Sequence, residues 1–329
     1  MILARQNRIM KNKFMNILLM LAFLFLSAGC NNGQPYFQKY TNPVEIPNAD
    51  FVYDTIVSGK EMLGFYSFAT GKTELVDFGK FIHPTQPYFL NPGTIIYRNK
   101  HDNFGNLNNN FWGLILSKGD RFYECDSKKI SGSVYASNKQ IILSNSDGLF
   151  LINPDDCSIE KTILSAQDLA TFGKYYYLFP SAYSDKGDFI IYSNTNSNVY
   201  RGVYLNKYLI TQKKTIDLGM LGFAPVLSPD EKEIAYCSYD GIHIMDTDGE
   251  NDELVVSQNT PVDFINGIGA FLPLPMWSSD GKKLLYHKCI GQVGCSEISD
   301  YDIFVYDLDT KTETLLVEGG MYPAWNYYK

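Results

Sequence analysis

One pattern recurs along this sequence at intervals in the forties, and it limits the possible folds more than any other feature. "PVLSPDEKEIAYCS" begins at Pro225 and "PMWSSDGKKLLYHK" at Pro275. "SAYSDKGDFIIYSN" begins at Ser181, "PYFLNPGTIIYRN" at Pro87, and a weaker copy, "SVYASNKQIILSN", at Ser133. The last residues, "PAWNYYK" from Pro323, repeat only the front half. The six starts are separated by 46, 48, 44, 50 and 48 residues. The common pattern is Pro or a small residue, a bulky residue two later, a polar turn, and a β-rich run ending near Tyr. A unit of this length cannot bury its own apolar surface and must stack on its neighbours.

Each complete anchor is followed by a second motif. "GIHIMDTDGENDELVV" follows Pro225 and "YDIFVYDLDTKTETLLV" follows Pro275, with "GLFLINPDDCSIEKTIL" after Ser133 and looser versions after Pro87 and Ser181. Strand, polar turn, strand is a hairpin. Each period therefore holds four antiparallel strands, and four strands per period in the forties means propeller blades. Before the first anchor, residues 50–79 supply a second, third and fourth strand with no first; the last residues supply a first strand alone. The two halves are expected to share one blade. The expected fold is all-β: a six-bladed propeller of four-stranded antiparallel blades, closed by strands from both termini so that no edge is left to template aggregation.

The repeat also decides how its polar residues are read. Asp246, Asp248, Glu250 and Asp252 superficially suggest a calcium loop, but Gly249 stands fourth from Asp246 rather than sixth and both flanks are strands, not helices. The corresponding turn at 69–72 lacks the acids. The run reads as a hairpin turn. Ser228, Pro229, Asp230 and Ser278 to Gly281 likewise read as tight turns between first and second strands. The sequence has no G-x-S-x-G, H-E-x-x-H or P-loop. His83, His101, His243 and His287 fall at unrelated offsets from the anchors. Hence no catalytic residue, cofactor or metal site is assigned.

With these residues in view, "LSPDEKEIAYCS…GIHIMDTDGEN" and "WSSDGKKLLYHK…DIFVYDLDTKTE" resemble the repeats of the TolB-type, WD40-like (PD40) propellers. The resemblance is strong in the copies at Pro225 and Pro275, moderate at Ser181 and weak elsewhere. It spans about residues 48–329. TolB has an α/β domain ahead of its propeller, where this sequence has only a short polar segment, so TolB's partnership does not transfer directly.

The N-terminus reads as an export signal. Arg5, Arg8, Lys11 and Lys13 precede a short apolar run, Phe14 to Leu26, and then "LSAGC". The ending resembles the bacterial lipoprotein box, with Ser27 where Leu is commonest. That resemblance implies lipid on Cys30 and stable anchoring if several acyl chains are attached. Residues 1–29 are then signal peptide, 30–47 a polar tether and 48–329 the propeller. Removing 1–29 leaves 24 Lys and Arg against 36 Asp and Glu, a net charge of −12. This disfavours nucleic acid as a partner. Asn31 and Asn32 favour outer-membrane placement over inner-membrane retention. Export permits disulfides. Cys289 and Cys295 bracket a short loop and are the expected pair; Cys125 with Cys157 is a further possibility, and Cys237 reads as a buried thiol.

Function is expected where the repeat breaks. In a meander, second-to-third loops and blade-to-blade connections share one face. Segments 99–111, 165–179, 257–272 and 288–301 are long, and all belong to that face. Long loops gathered on one side of a rigid scaffold are where binding resides. His101, Phe104, Asn108, Tyr176, Tyr177, Phe264 and Asn266 are the candidate contacts, of types suited to protein or sugar. The expected role is a lipid-anchored envelope binding or scaffold protein that engages a protein partner. The alternatives are a polysaccharide lyase or glycan hydrolase, and a surface glycan-binding lipoprotein.

Overall fold

The computed structural model describes residues 46–77, 84–91, 94–99, 111–116, 122–124, 133–137, 140–145, 147–153, 158–169, 176–195, 203–258, 274–290 and 298–329. All lie in one compact unit, Tyr36–Lys329. The other unit, Met1–Pro35, which includes Cys30, lies outside the described residues.

Among the described residues the strands form six four-stranded antiparallel sheets. The first contains β4 (Pro84–Asn91), β5 (Thr94–Asn99), β6 (Phe111–Leu116) and β7 (Phe122–Glu124); the second contains β8 (Ser133–Ser137), β9 (Gln140–Asn145), β10 (Gly148–Ile152) and β11 (Ile159–Ser165). A short helix, α1 (Ala166–Leu169), leads on to the third: β12 (Tyr176–Tyr183), β13 (Phe189–Thr195), β14 (Val203–Leu209) and β15 (Lys214–Leu221). The fourth is β16 (Phe223–Leu227), β17 (Glu233–Cys237), β18 (Gly241–Asp246) and β19 (Glu253–Ser257), and the fifth β20 (Met276–Trp277), β21 (Lys283–Cys289), β22 (Tyr301–Asp307) and β23 (Thr312–Val317). The closing sheet joins the ends: β24 (Gly320–Trp325), then β1 (Phe51–Val57), β2 (Lys60–Ser67) and β3 (Lys72–Val76).

First strands touch around the ring, β8 to β12, β12 to β16, β16 to β20, β20 to β24 and β24 to β4. This is a propeller. As a regular ring it resolves five blades, not the six expected from the anchors. Six four-stranded sheets form among the described residues, and irregularities are spread over several of them: the β4–β5 and β10–β11 registers each shift twice, and β7 and β20 offer only three and two residues. Bulges of this kind bend a strand away from its neighbours.

Burial explains the sequence of each sheet. A second strand is covered on both faces by adjoining sheets, so it reads as a continuous apolar run rather than an alternation. Ile234 to Cys237 in β17 and Leu284 to His287 in β21 are all buried. Outer strands such as β3 and β23 are mostly exposed.

A Tyr in four of the second strands, β1, β13, β17 and β21, has a common job. Tyr53 donates to Thr73 Oγ1 at 3.1 Å and Tyr236 to Asp252 Oδ1 at 2.6 Å, while Tyr286 donates to Glu313. Tyr192 bonds Thr215 in the same way, and burial pushes its phenol up to about 12. Each phenol crosses the third strand to reach a polar group at the fourth. The residue crossed must be small or flat: Gly64 pairs with Tyr53, His243 with Tyr236 and Phe304 with Tyr286.

The turns are closed by their own side chains, as read from the sequence. Ser228 Oγ donates to Asp230 and accepts from Glu233 N, and Ser278 Oγ repeats this with Asp280 and Lys283 N. In the acidic turn, Gly249 N donates to Asp246 O, and Asn251 Nδ2 donates to the Asp246 carboxylate. Sheets are latched by indoles. Trp277 Nε1 donates to Val226 O at 3.2 Å, and Trp325 Nε1 to Met276 O at 2.9 Å. Asn326 bonds Asp50 O and Ala49 O, joining the two ends of the described chain.

Candidate binding face

The strand order sorts every connection onto one of two faces. On the first-to-second and third-to-fourth side, the longest intervals between strands are 153–158 and 247–252. On the opposite side lie 100–110, 166–175, 258–275 and 290–300. The expected asymmetry is therefore real in the topology.

His101, Phe104, Asn108, Phe264 and Asn266 lie outside the described residues, although the strands that bracket them end on this face. Tyr176 and Tyr177 correct the expectation of a loop. They open β12, where Tyr176 pairs with Asn194 and Tyr177 with Ser193. The aromatic run that begins there has high strand propensity and extends the first strand into what was read as a connection. They remain at the strand end facing this side. Cys289 is disulfide-bonded; Cys295, its expected partner, lies outside the described residues. Cys237 is a buried thiol, and burial pushes its pKa up.

Beneath this face, where the fifth, closing and first sheets meet, polar side chains are gathered in the interior. Asp54, Thr55, Gln86, His287 and Asp302 are all buried. Gln86 N donates to Asp54 Oδ2 at 3.1 Å, Gly319 N to Asp302 Oδ1 at 3.0 Å, and Thr55 Oγ1 to Gly319 O at 2.7 Å. The rings of Tyr301 and Tyr322 stand edge-on to His287, with centroids 5.4 and 5.2 Å away. Burial above all, then Tyr322 and Asp54, raises the Tyr88 phenol well above its ordinary value. Burial, Tyr322 and Asp300 do the same for Tyr301. These phenols stay neutral donors under physiological conditions. The Gln86 Oε1 atom is buried without a hydrogen-bond partner.

Backbone strain repeats at the same place in three first strands. Gln86, Ala224 and Tyr322 have φ of 50°, 54° and 49°, and each immediately precedes a proline anchor. A residue ahead of proline is ordinarily extended, and a non-glycine residue in the left-handed region costs on the order of 1–3 kcal/mol. The ladder shifts register at each of these points. The anchors therefore mark bulges near the mouth of the ring. The repeat located them in sequence but did not reveal their conformation.

A second polar network lies in the fourth sheet. His243 Nδ1 is 3.1 Å from Asp252 Oδ2, its Nε2 is 2.9 Å from Asp240 Oδ1, and its ring stacks on Tyr236. Among the described residues no group of three His, Cys, Asp or Glu side chains is arranged to hold a metal ion.

Together the ring of antiparallel sheets, the closing sheet shared by both ends and the one-sided connections define a β-propeller. No family model matches the sequence, and no curated protein matches it. Among solved structures, TolB from Acinetobacter baumannii is similar at a TM-score of 0.56 and 13% identity, over 84% of this chain and 66% of that one. This chain thus spans just under two thirds of that protein. A protein described as TolB from Agrobacterium tumefaciens gives 0.53 and 14%, over 84% and 92%. A chain of a nidogen/laminin complex gives 0.54 and 8%, over 83% and 97%. At these identities the likeness is one of fold.

Proposed function

We propose that this chain is a lipid-anchored cell-envelope protein that uses the long-connection face of its propeller to bind a protein partner, as a scaffold rather than as a catalyst. The observation that carries this reading is the asymmetry of the ring: tight, self-bonded turns on one face and all the long insertions on the other. A stiff platform with variable loops on one side suits recognition. The similar fold in a nidogen/laminin complex supports the reading, because that propeller-like chain was solved in a protein–protein assembly. His101, Phe104, Asn108, Tyr176, Tyr177, Phe264 and Asn266 are the proposed contacts, and Cys30 the proposed lipid attachment point at the outer membrane.

The test uses the full chain in native membranes, with chemical crosslinking and mass spectrometry. The double variant Phe104→Ala, Phe264→Ala is expected to lose the crosslinked partner while its melting temperature stays close to that of the parent. Retention of the partner would refute the face assignment. Cys30→Ala is expected to move the protein from the membrane to the soluble fraction; if it stays with the membrane, the anchor is elsewhere.

A further inference from the structure

The closing sheet carries an aromatic pair on the short-turn face. Phe68, in the β2–β3 turn, is 42% exposed and stacks on the half-buried Trp325 that ends β24, with ring centroids 5.7 Å apart and planes 24° from parallel. The buried rings of Tyr66 and Phe51 flank Phe68 at 5.3 and 6.0 Å. Phe68 N donates to Asp50 Oδ2 at 2.6 Å, which holds the turn in place. Among the described residues, no other turn on this face exposes a large apolar side chain. The described chain begins at the same corner. Asp50 N donates to Tyr66 O, and Asn326 bonds Asp50 O and Ala49 O, so the segment ahead of β1 leaves the ring beside Phe68 and Trp325.

This corner offers rings rather than hydrogen bonds. Asp50 accepts from Phe68 N and pairs with Lys329 at 3.0 Å. Asn326 is engaged by Ala49 O and Tyr328 N, and Tyr327 Oη by Trp277 O. A sugar needs polar groups to fix it as well as a ring to lie on, and here those groups already serve the fold. Aromatic side chains at a protein surface instead suit the boundary between water and lipid headgroups. Charge selects the same corner. The turn 68–71 is uncharged, Asp50 is paired with Lys329, and Lys72 follows the turn. The turns 278–282 and 308–311 each balance one Asp with one Lys. Farther round the same face, the turns 228–232 and 247–252 carry Asp230, Glu231, Asp248, Glu250 and Asp252 against Lys232 alone. An anionic surface repels that side of the face and tolerates the closing sheet.

We infer that the Phe68–Trp325 corner is the part of the ring that rests on the bilayer surface, so that the long-connection face points away from the membrane. This inference rests on the proposed lipid at Cys30 and adds the orientation. Ile46 is the first described residue after the segment 31–45, and a segment of that length reaches at most about 50 Å even when fully extended. No other part of the ring is closer to Cys30 along the chain. Two rings make too small a contact to hold the protein by themselves; their effect is to set which way an anchored ring faces.

The test uses the full chain, purified from membranes and reconstituted in vesicles of phosphatidylethanolamine and phosphatidylglycerol. A photo-crosslinking residue replaces Ala69, Tyr239 or Glu250, all exposed, and adducts are read by mass spectrometry. Phospholipid adducts are expected from position 69. None is expected from 239, on the long-connection face, or from 250, on the acidic side of the short-turn face. Phe68→Glu is expected to lower the adducts from 69 several-fold while the protein still floats with the vesicles. Lipid adducts from 239, equal adducts from 69 and 250, or an unchanged yield in Phe68→Glu overturn the inference. No lipid adduct from 69 in protein that floats overturns it too, and leaves the anchor standing. Protein that does not float refutes the anchor, and the inference with it. In native membranes, adducts from 69 to glycan or protein but not to lipid would give the corner to that occupant and reject the bilayer.

Discussion

Tyr236 Oη donates a 2.6 Å hydrogen bond to Asp252 Oδ1 across the flat face of His243. The phenol therefore links the second strand of its sheet to the start of the fourth without displacing the third. The closing sheet performs the same crossing over a glycine.

At that position, a Cβ added to Gly64 would lie 2.2 Å from the Tyr53 ring. Tyr53 is buried and bonded to Thr73, so the ring has little room to retreat. Gly64→Ala is expected to destabilise the fold by about 1–3 kcal/mol, the usual cost of overpacking. Urea denaturation monitored by tryptophan fluorescence checks this. An unchanged midpoint would show that the crossing geometry is not constrained.

The indole latch predicts a loss at the ring closure. Trp325→Phe keeps an aromatic ring beside Phe51 and Phe68 but removes the donor to Met276 O. A carbonyl left without its partner in a partly buried seam costs about 1–3 kcal/mol. The expected result is a lower melting temperature with unchanged far-ultraviolet circular dichroism. Tyr327→Phe, which removes the bond to Trp277 O, is expected to act in the same direction.

Acid should weaken the self-bonded turns and the start of α1. Asp168 is lowered to about 2 mainly by Ser165, Asp230 to about 2 mainly by Lys232 and then Ser228, and Asp280 is lowered mainly by Ser278. A carboxylate depressed on folding stabilises fully above its unfolded value of 3.8 and loses that contribution as pH falls towards the folded value. Stability is therefore expected to be level on this account down to about pH 5 and to decline between about pH 4 and pH 2. In Asp168→Asn the acid limb of the stability curve should become shallower. A limb of identical slope would mean that this side chain contributes nothing to it.

Cys237 offers a test of packing. It is buried and its pKa is raised, so the thiolate is scarce as well as shielded. Iodoacetamide is expected to leave it unmodified in the native protein and to label it completely in denaturant, as read by mass spectrometry. Native labelling at a comparable rate would contradict the burial.

The sequence disclosed the parts of this fold that repeat. Residues such as Ser228 and Ser278 serve the same turn in successive sheets, so their spacing displays their role. The split closing sheet was legible for the same reason, because strands were missing at one end of the pattern and surplus at the other. Regularity of the ring was not legible. The double register shift between β4 and β5 is a pair of bulges, and a strand pattern does not show where a ladder will shift. Nor was the interior polar cluster. Asp54 interrupts the apolar run "FVYDTIV", which is the one available signal, but Gln86 comes from the first sheet and His287 and Asp302 from adjoining strands of the fifth, and only the packing of those sheets against the closing one gathers them. Tyr176 and Tyr177 were misplaced because a strand and an aromatic-rich loop look alike over so few residues.

The closing sheet also imposes an order in time. Thr55 bonds the carbonyl of Gly319 across 264 positions of chain, and Asn326 reaches Ala49 across 277. A ribosome delivers β1 early and β24 late. Until β24 arrives, β1 has a bare inner edge, whatever the other sheets have achieved. Closing so long a loop is entropically costly and slow. The closing sheet therefore cannot be completed until the last of its strands has been made.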